Sequence, residues 1–413
     1  MTATVSQPPG PGVPGAISAR ARQQPAVQKA TRLPSLDGLR ALAIALVVVG
    51  HGVGSIPDPP ALVRLVSPVL RNGHLGVCLF FSLSGYLITY LLLREREQRG
   101  AISLTAFYAR RVLRIFPAAY AYLATVAVLA GLGVVNVKWP ELVQAAFYVW
   151  NYSFSQSAWY LRHFWSLCLE EQFYLLWPAF LAFTGRSRAV AGAVVVIVLM
   201  PLARMATYFS WPSARGHILI MAHTALDAMM YGCLAALLQD DPRFRKAVAA
   251  LFRWRVHVAT LVFLLVVSPI LERLFRGSYY LPVGGSLNSA GCTLLMLWAL
   301  QHPRGRVGTW LNSGPLVHLG TISYSLYMWQ QLFLAPPRLA LPWIGVFPLN
   351  EIFALAAAEF SYWVIERPFL RLKDRLSDRS RQSALPRGLF APGVPPLYPS
   401  AGATVTTPGE LGR

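Results

Sequence analysis

Charge is what this sequence has least of. Only 13% of its 413 residues are Asp, Glu, Lys or Arg, against about a quarter in an ordinary soluble domain. Acid is the scarcer sign, with 17 Asp and Glu beside 37 Lys and Arg and a formal charge of +20. There are four cysteines, Cys78, Cys168, Cys233 and Cys292, all inside or at the edges of apolar runs. That placement argues against a disulfide framework and gives no zinc-binding spacing, so they read as small apolar residues and no metal site is expected. Internal repeats, a signal-peptide pattern and any segment long enough for a separate soluble domain are also missing. Nucleic acid is not an expected partner, because the Lys and Arg fall between apolar runs and form no basic stripe.

Hydrophobic residues make up 55% of the chain, in blocks of about 20, the length that crosses a bilayer. The expected fold is all-α, a polytopic transmembrane helical bundle. Ten spans are expected, centred near 46, 84, 126, 175, 199, 229, 263, 293, 326 and 355. With the N-terminus inside, 27 of the 37 Lys and Arg fall on the inner side, 8 on the outer side and 2 within spans. That bias places both termini in the cytoplasm of a multi-pass cell-membrane protein in contact with membrane lipids. Residues 1–33 and 376–413, rich in Pro, Gly and small polar residues, read as disordered tails around a domain at 34–375.

Three stretches carry polar groups where lipid disfavours them. In "LRALAIALVVVGHGVGSIP", residues 39–57, Arg40 and His51 are 11 residues apart, about three helical turns, so they share a face about 16.5 Å apart along the axis. An ionisable group at such depth faces a polar cavity or bonds another helix, and glycines on both sides of His51 leave room for approach. In "FYARRVLRIFP", Arg110, Arg111 and Arg114 crowd one helix end, as a phosphate clamp or as an anchor to anionic headgroups. In "HFWSLCLEEQFYLLWP", Glu170 and Glu171 stand at the apolar start of a span. Adjacent residues on a helix diverge, so at most one should address the cavity of His51; a helix-to-helix hydrogen bond is the rival role.

Together with "LDGLRALAIALVVVGH", "GHLGVCLFFSLSGYLI", "ISYSLYMWQQ" and "IERPF", these motifs stand in the order and spacing of the integral-membrane acyltransferase 3 family, which the chain resembles over about residues 33–375. The resemblance implies a membrane O-acyltransferase, without the C-terminal esterase-like domain of some relatives. It would move an acyl group, in first place acetyl, from acyl-CoA to a hydroxyl of a carbohydrate-containing acceptor: an envelope glycan, a glycolipid or a glycosylated metabolite. Acyl-CoA is then a co-substrate, with no permanently bound cofactor. His51 matches the family's catalytic histidine, Glu170 the acid of its "W-S-L-x-x-E-x-Q" motif, and Arg40, Arg110, Arg111 and Arg114 its acyl-CoA-binding arginines. Two positions depart from the family: Cys78 where many relatives have Asp, and Gln330 where they often have His. Neither is expected to touch His51. A second reading is a transporter or flippase of an envelope precursor, with His51, Arg204 and Glu170 lining its path.

Overall fold

The computed structural model describes residues 33–383 apart from 34, 57, 154–158, 340, 342 and 343. Among these residues there is no strand. The main helices are α1 (Leu36–Ser55), α2 (Gly73–Arg99), α3 (Leu104–Gly131), α4 (Phe164–Ser210), α5 (Asp227–Leu238), α6 (Trp254–Phe275), α7 (Gly277–Gln301), α8 (Ser323–Phe333), α9 (Leu349–Phe360) and α10 (Arg367–Ser383).

The all-helical expectation holds, and among the described residues six stretches are long and apolar enough to cross a membrane, where ten spans were expected. They are α1, α2, α3, Trp159–Ser210, α6 and α7. At 47 residues α4 would reach about 70 Å, more than twice the hydrocarbon core. It is two helices joined at Gly185, whose φ of 81° breaks the helix in a conformation open to a residue without Cβ. The centres expected at 175 and 199 fall on its two arms. Those at 229 and 326 fall on α5 and α8, apolar helices of 12 and 11 residues, short of the roughly 20 a crossing needs, and that at 355 falls on α9. A π-turn at Ser361–Glu366 carries α9 on into α10. The helix runs to Ser383, beyond the boundary expected at 375. The rest of both expected tails lies outside the described residues, save Leu33. The first turn of α1 and the start of α10 line one cavity, through Asp37 and Leu370.

α2 is the central helix, packed against α1, α5 and α7. Its crossing with α5 depends on two glycines facing one another. A Cβ on Gly85 would sit 2.1 Å from the Met229 carbonyl oxygen, and one on Gly232 would sit 2.1 Å from that of Ser82. Backbone thus meets backbone, the approach that small residues permit between helices in lipid. Beside this crossing a buried polar knot ties α4 to α5 and α7. Arg204 donates to Asp227, to the Thr224 carbonyl at 2.7 Å and to Ser286 Oγ at 3.2 Å. With its donors engaged in this way, Arg204 is a structural cross-link and not a wall of the His51 cavity.

Gly85→Ala should force α2 and α5 apart and destabilise the bundle by about 1–3 kcal/mol, the usual range for overpacking. Thermal unfolding in detergent reads this as a lowered midpoint. Gly131→Ala, where nothing lies within 4 Å, should leave the midpoint unchanged or slightly raised.

Candidate active site

Three adjoining cavities run through the bundle. The first, about 400 Å³, lies among α1, α2, α3 and α10 and is walled by Arg40, Arg110, Arg111 and Arg114. Arg40, Arg111 and Arg114 also wall the second, about 120 Å³, together with Glu170 and Glu171. Val77 and Tyr327 are common to the second and the third, a cavity of about 500 Å³ that His51 lines. All six residues singled out in the sequence therefore stand along one line of cavities, Arg40 and His51 at different points on it, as their shared face on α1 requires.

The arginine end is ordered by carboxylates. Arg40 pairs with Asp37 at 3.0 Å one turn earlier, and Arg110 with Glu95 of α2 at 3.3 Å. Arg114 pairs at 3.3 Å with Glu366, the acid of "IERPF", which also accepts from Ser325 Oγ at 2.5 Å. Arg111 differs: among the described residues it makes no ion pair and lies over the rings of Tyr174, 4.6 Å from the centroid, and Phe107, 5.5 Å. A guanidinium held by its flat face keeps its N–H edge free for an anion. Arg111 is thus the member of the cluster least committed to protein, and Glu366 is a positioning residue the sequence reading did not pick out.

Glu170 is held by hydrogen bonds from Ser84 and from Tyr174, the latter at 2.8 Å. Both adjacent carboxylates reach the same middle cavity, because it wraps round the start of α4, and Glu171 Oε1 is buried there without a hydrogen-bond partner. Neither carboxylate lines the His51 cavity. Glu170 is therefore not the group that orients the imidazole.

That group is Gln330, which was expected not to touch His51. Its Oε1 lies 2.8 Å from His51 Nδ1. The direction of this bond follows from what fixes the amide. Gln331 Nε2 donates to the Trp159 carbonyl at 2.7 Å, so Gln331 Oε1 faces the other way and accepts from Gln330 Nε2 at 3.1 Å. The Tyr327 carbonyl, 3.4 Å from Gln330 Nε2, is a second acceptor on that side. The Gln330 oxygen must then point at His51, which places the proton on Nδ1 and leaves Nε2 with a free lone pair. A chain of two amides thus sets the imidazole in the form that can take a proton or attack a carbonyl. Cys78, the other departure from the family pattern, meets His74 at 3.5 Å and not His51.

The flanking glycines serve packing more than access. A Cβ on Gly50 would lie 3.0 Å from the Gly73 nitrogen, and Gly52 is covered by the Glu351 side chain. Trp159 contacts the His51 ring edge to face at 5.5 Å, and Trp165 stacks on His74 at 5.9 Å. His74 and His163 join the same cavity, a role that their spacing in the chain did not signal.

A family model described as an acyltransferase domain matches residues 33–359. The chain belongs to the acyltransferase 3 family. Similar family members include the peptidoglycan O-acetyltransferase OatA of Listeria monocytogenes, 27% identical over 81% of this chain and 55% of its own length. The "Putative O-acetyltransferase SACOL0978" of Staphylococcus aureus is 28% identical over 83% of this chain and 58% of its own. The chain thus spans little more than half the length of the curated relatives it matches. No solved structure matches it.

Gln330→Ala removes the acceptor that holds His51 Nδ1–H. Acyl transfer should fall by about tenfold or more, the worth of one such hydrogen bond, and Gln330→His should recover part of it. Turnover per folded molecule, measured beside unfolding midpoints, checks both.

Proposed function

We propose that the chain is a multi-pass cell-membrane O-acyltransferase that moves an acyl group, in first place acetyl, from acyl-CoA to a hydroxyl of a carbohydrate-containing acceptor of the bacterial envelope. The observation that carries this reading is the shared wall between the cavities, which links a cluster of arginines to an imidazole with a free lone pair. Phosphates of acyl-CoA would rest against Arg111 and Arg114, with Arg40 and Arg110 flanking, at the cytoplasmic end. Its thin pantetheine arm would pass Glu170 and the neck at Val77 and Tyr327, bringing the thioester to His51. Such separation suits a long donor whose anionic end and reacting carbon lie far apart.

In the reaction an acceptor hydroxyl gives its proton to His51 Nε2 while its oxygen attacks the thioester carbonyl. The C–S bond breaks, and the leaving thiolate takes up the proton to give free CoA. General-base work of this kind is worth roughly 10²–10⁴-fold. Alternatively Nε2 attacks the thioester carbonyl and expels the CoA thiolate; the acceptor hydroxyl then displaces the imidazole from the acyl carbon, and its proton passes to the thiolate to give free CoA. Membership of the acyltransferase family, relatives named for peptidoglycan O-acetylation and a glycan-sized cavity lined by two Trp side chains all support transfer to carbohydrate. The transporter reading loses one of its three path residues, since Arg204 is engaged with Asp227 and Ser286.

His51→Ala should abolish acyl transfer in protein that still inserts and unfolds cooperatively; wild-type turnover in that variant would refute the assignment. Val77→Trp should plug the neck, cutting turnover at least about tenfold while acyl-CoA still binds at the arginine end. Arg111→Gln should raise the Michaelis constant for acyl-CoA about tenfold and leave that for the acceptor unchanged, as loss of a charged hydrogen bond predicts.

A further inference from the structure

The His51 cavity carries three more guanidiniums that the proposed donor path does not use. Arg71 follows the short helix Ala61–Leu70, Arg162 precedes α4 and Arg338 follows α8, so three separate parts of the chain bring positive charge to one cavity wall. Arg71 reaches back against Gly54, one turn beyond His51, its Nη2 3.6 Å from where a Cβ would be. Arg162 is near enough for its charge to act on the His51 ring. Among the described residues no carboxylate lines this cavity. Among the described residues none of the three side chains makes an ion pair, whereas Arg40, Arg110 and Arg114 at the other end are each paired with an acid.

Three unpaired guanidiniums round a cavity without acid make a field that concentrates anions. A neutral sugar has no use for them. His163 points the same way: it is 3% exposed, lines this cavity, and neither ring nitrogen has a hydrogen-bond partner among the described residues. Buried polar groups nearly always have a partner, so these nitrogens are available to a polar group entering the cavity. We infer that this cavity is an acceptor site for an anionic carbohydrate, in which Arg71, Arg162 and Arg338 take a carboxylate or phosphate of the acceptor. The same contact sets its hydroxyl beside His51, with Trp159 and Trp165 against the sugar faces. Forked guanidinium donors match both oxyanions, and aromatic faces suit pyranose rings. The inference rests on the proposed transferase reading for its substrate class, and the test separates the two.

The full chain is purified in discs of uncharged phosphatidylcholine, and binding of a muramyl disaccharide is compared with that of its methyl ester, with no acyl-CoA present. The free acid should bind about tenfold tighter than the ester. Arg162→Gln and Arg338→Gln should each remove most of that preference, Arg162→Lys should restore part of it, and unfolding midpoints should not move. In turnover with acetyl-CoA the same Gln variants should raise the Michaelis constant of the acid alone. Equal binding of acid and ester overturns the inference, as does a Gln variant that weakens acetyl-CoA in place of the acid. Loss of the acid preference when phosphatidylglycerol replaces phosphatidylcholine would overturn it in favour of lipid headgroups. Because the binding comparison needs no acyl transfer, an inactive preparation refutes the transferase reading without touching this result.

Discussion

An imidazole inside an apolar bundle has two polar nitrogens, and one of them must be satisfied by protein if the other is to be free. This constraint organises the site. Gln330 meets Nδ1, Gln331 fixes Gln330, and the Trp159 carbonyl fixes Gln331. Every group in that chain is uncharged, so it orients the ring without adding a full charge to a low-dielectric interior, where an unpaired charge is costly. A carboxylate in the place of Gln330 would hold the same nitrogen and also favour a protonated ring, at the expense of the lone pair.

The rest of the bundle divides its polar residues by the same logic. Where no ligand is proposed to come, polar groups pair with one another, as Arg204 does with Asp227 and Ser286. At the arginine end the pairing is partial: three guanidiniums are steadied by acids and Arg111 is steadied by aromatic faces alone. Round His51 the arginines have no acid beside them. Backbone contacts at Gly85 and Gly232 hold α2 and α5 tightly together, so this crossing itself is closed.

What could be read from the sequence was whatever is local to one helix. Arg40 and His51 share a face because 11 residues make nearly a whole number of turns, and the arginines of "YARRVLRIFP" cluster because they lie within one turn of each other. The His51–Gln330 bond spans 279 positions, and nothing in periodicity points across such a distance; the substitution of Gln for a family His was visible, its partner was not. Glu170 and Glu171 were assigned divergent surroundings from helix geometry, but a cavity that curves round the helix start admits both. The span count shows a similar limit. Hydropathy marks α5 and α8 as apolar but does not distinguish a full crossing from a helix of about a dozen residues packed within the protein.

The pairing of Arg114 with Glu366, and of Glu366 with Ser325, has a consequence for the order of assembly. Arg114 is made early and its steadying acid late, in the π-turn between α9 and α10, just as His51 precedes Gln330 of α8. Both ends of the cavity line are thus completed by the final quarter of the polypeptide. A nascent chain held in the membrane with its first seven helices inserted would possess His51 and Arg114 yet lack Gln330 and Glu366, the groups that steady them. Under the proposed transferase reading, competence to react would wait on the helices that supply these two side chains.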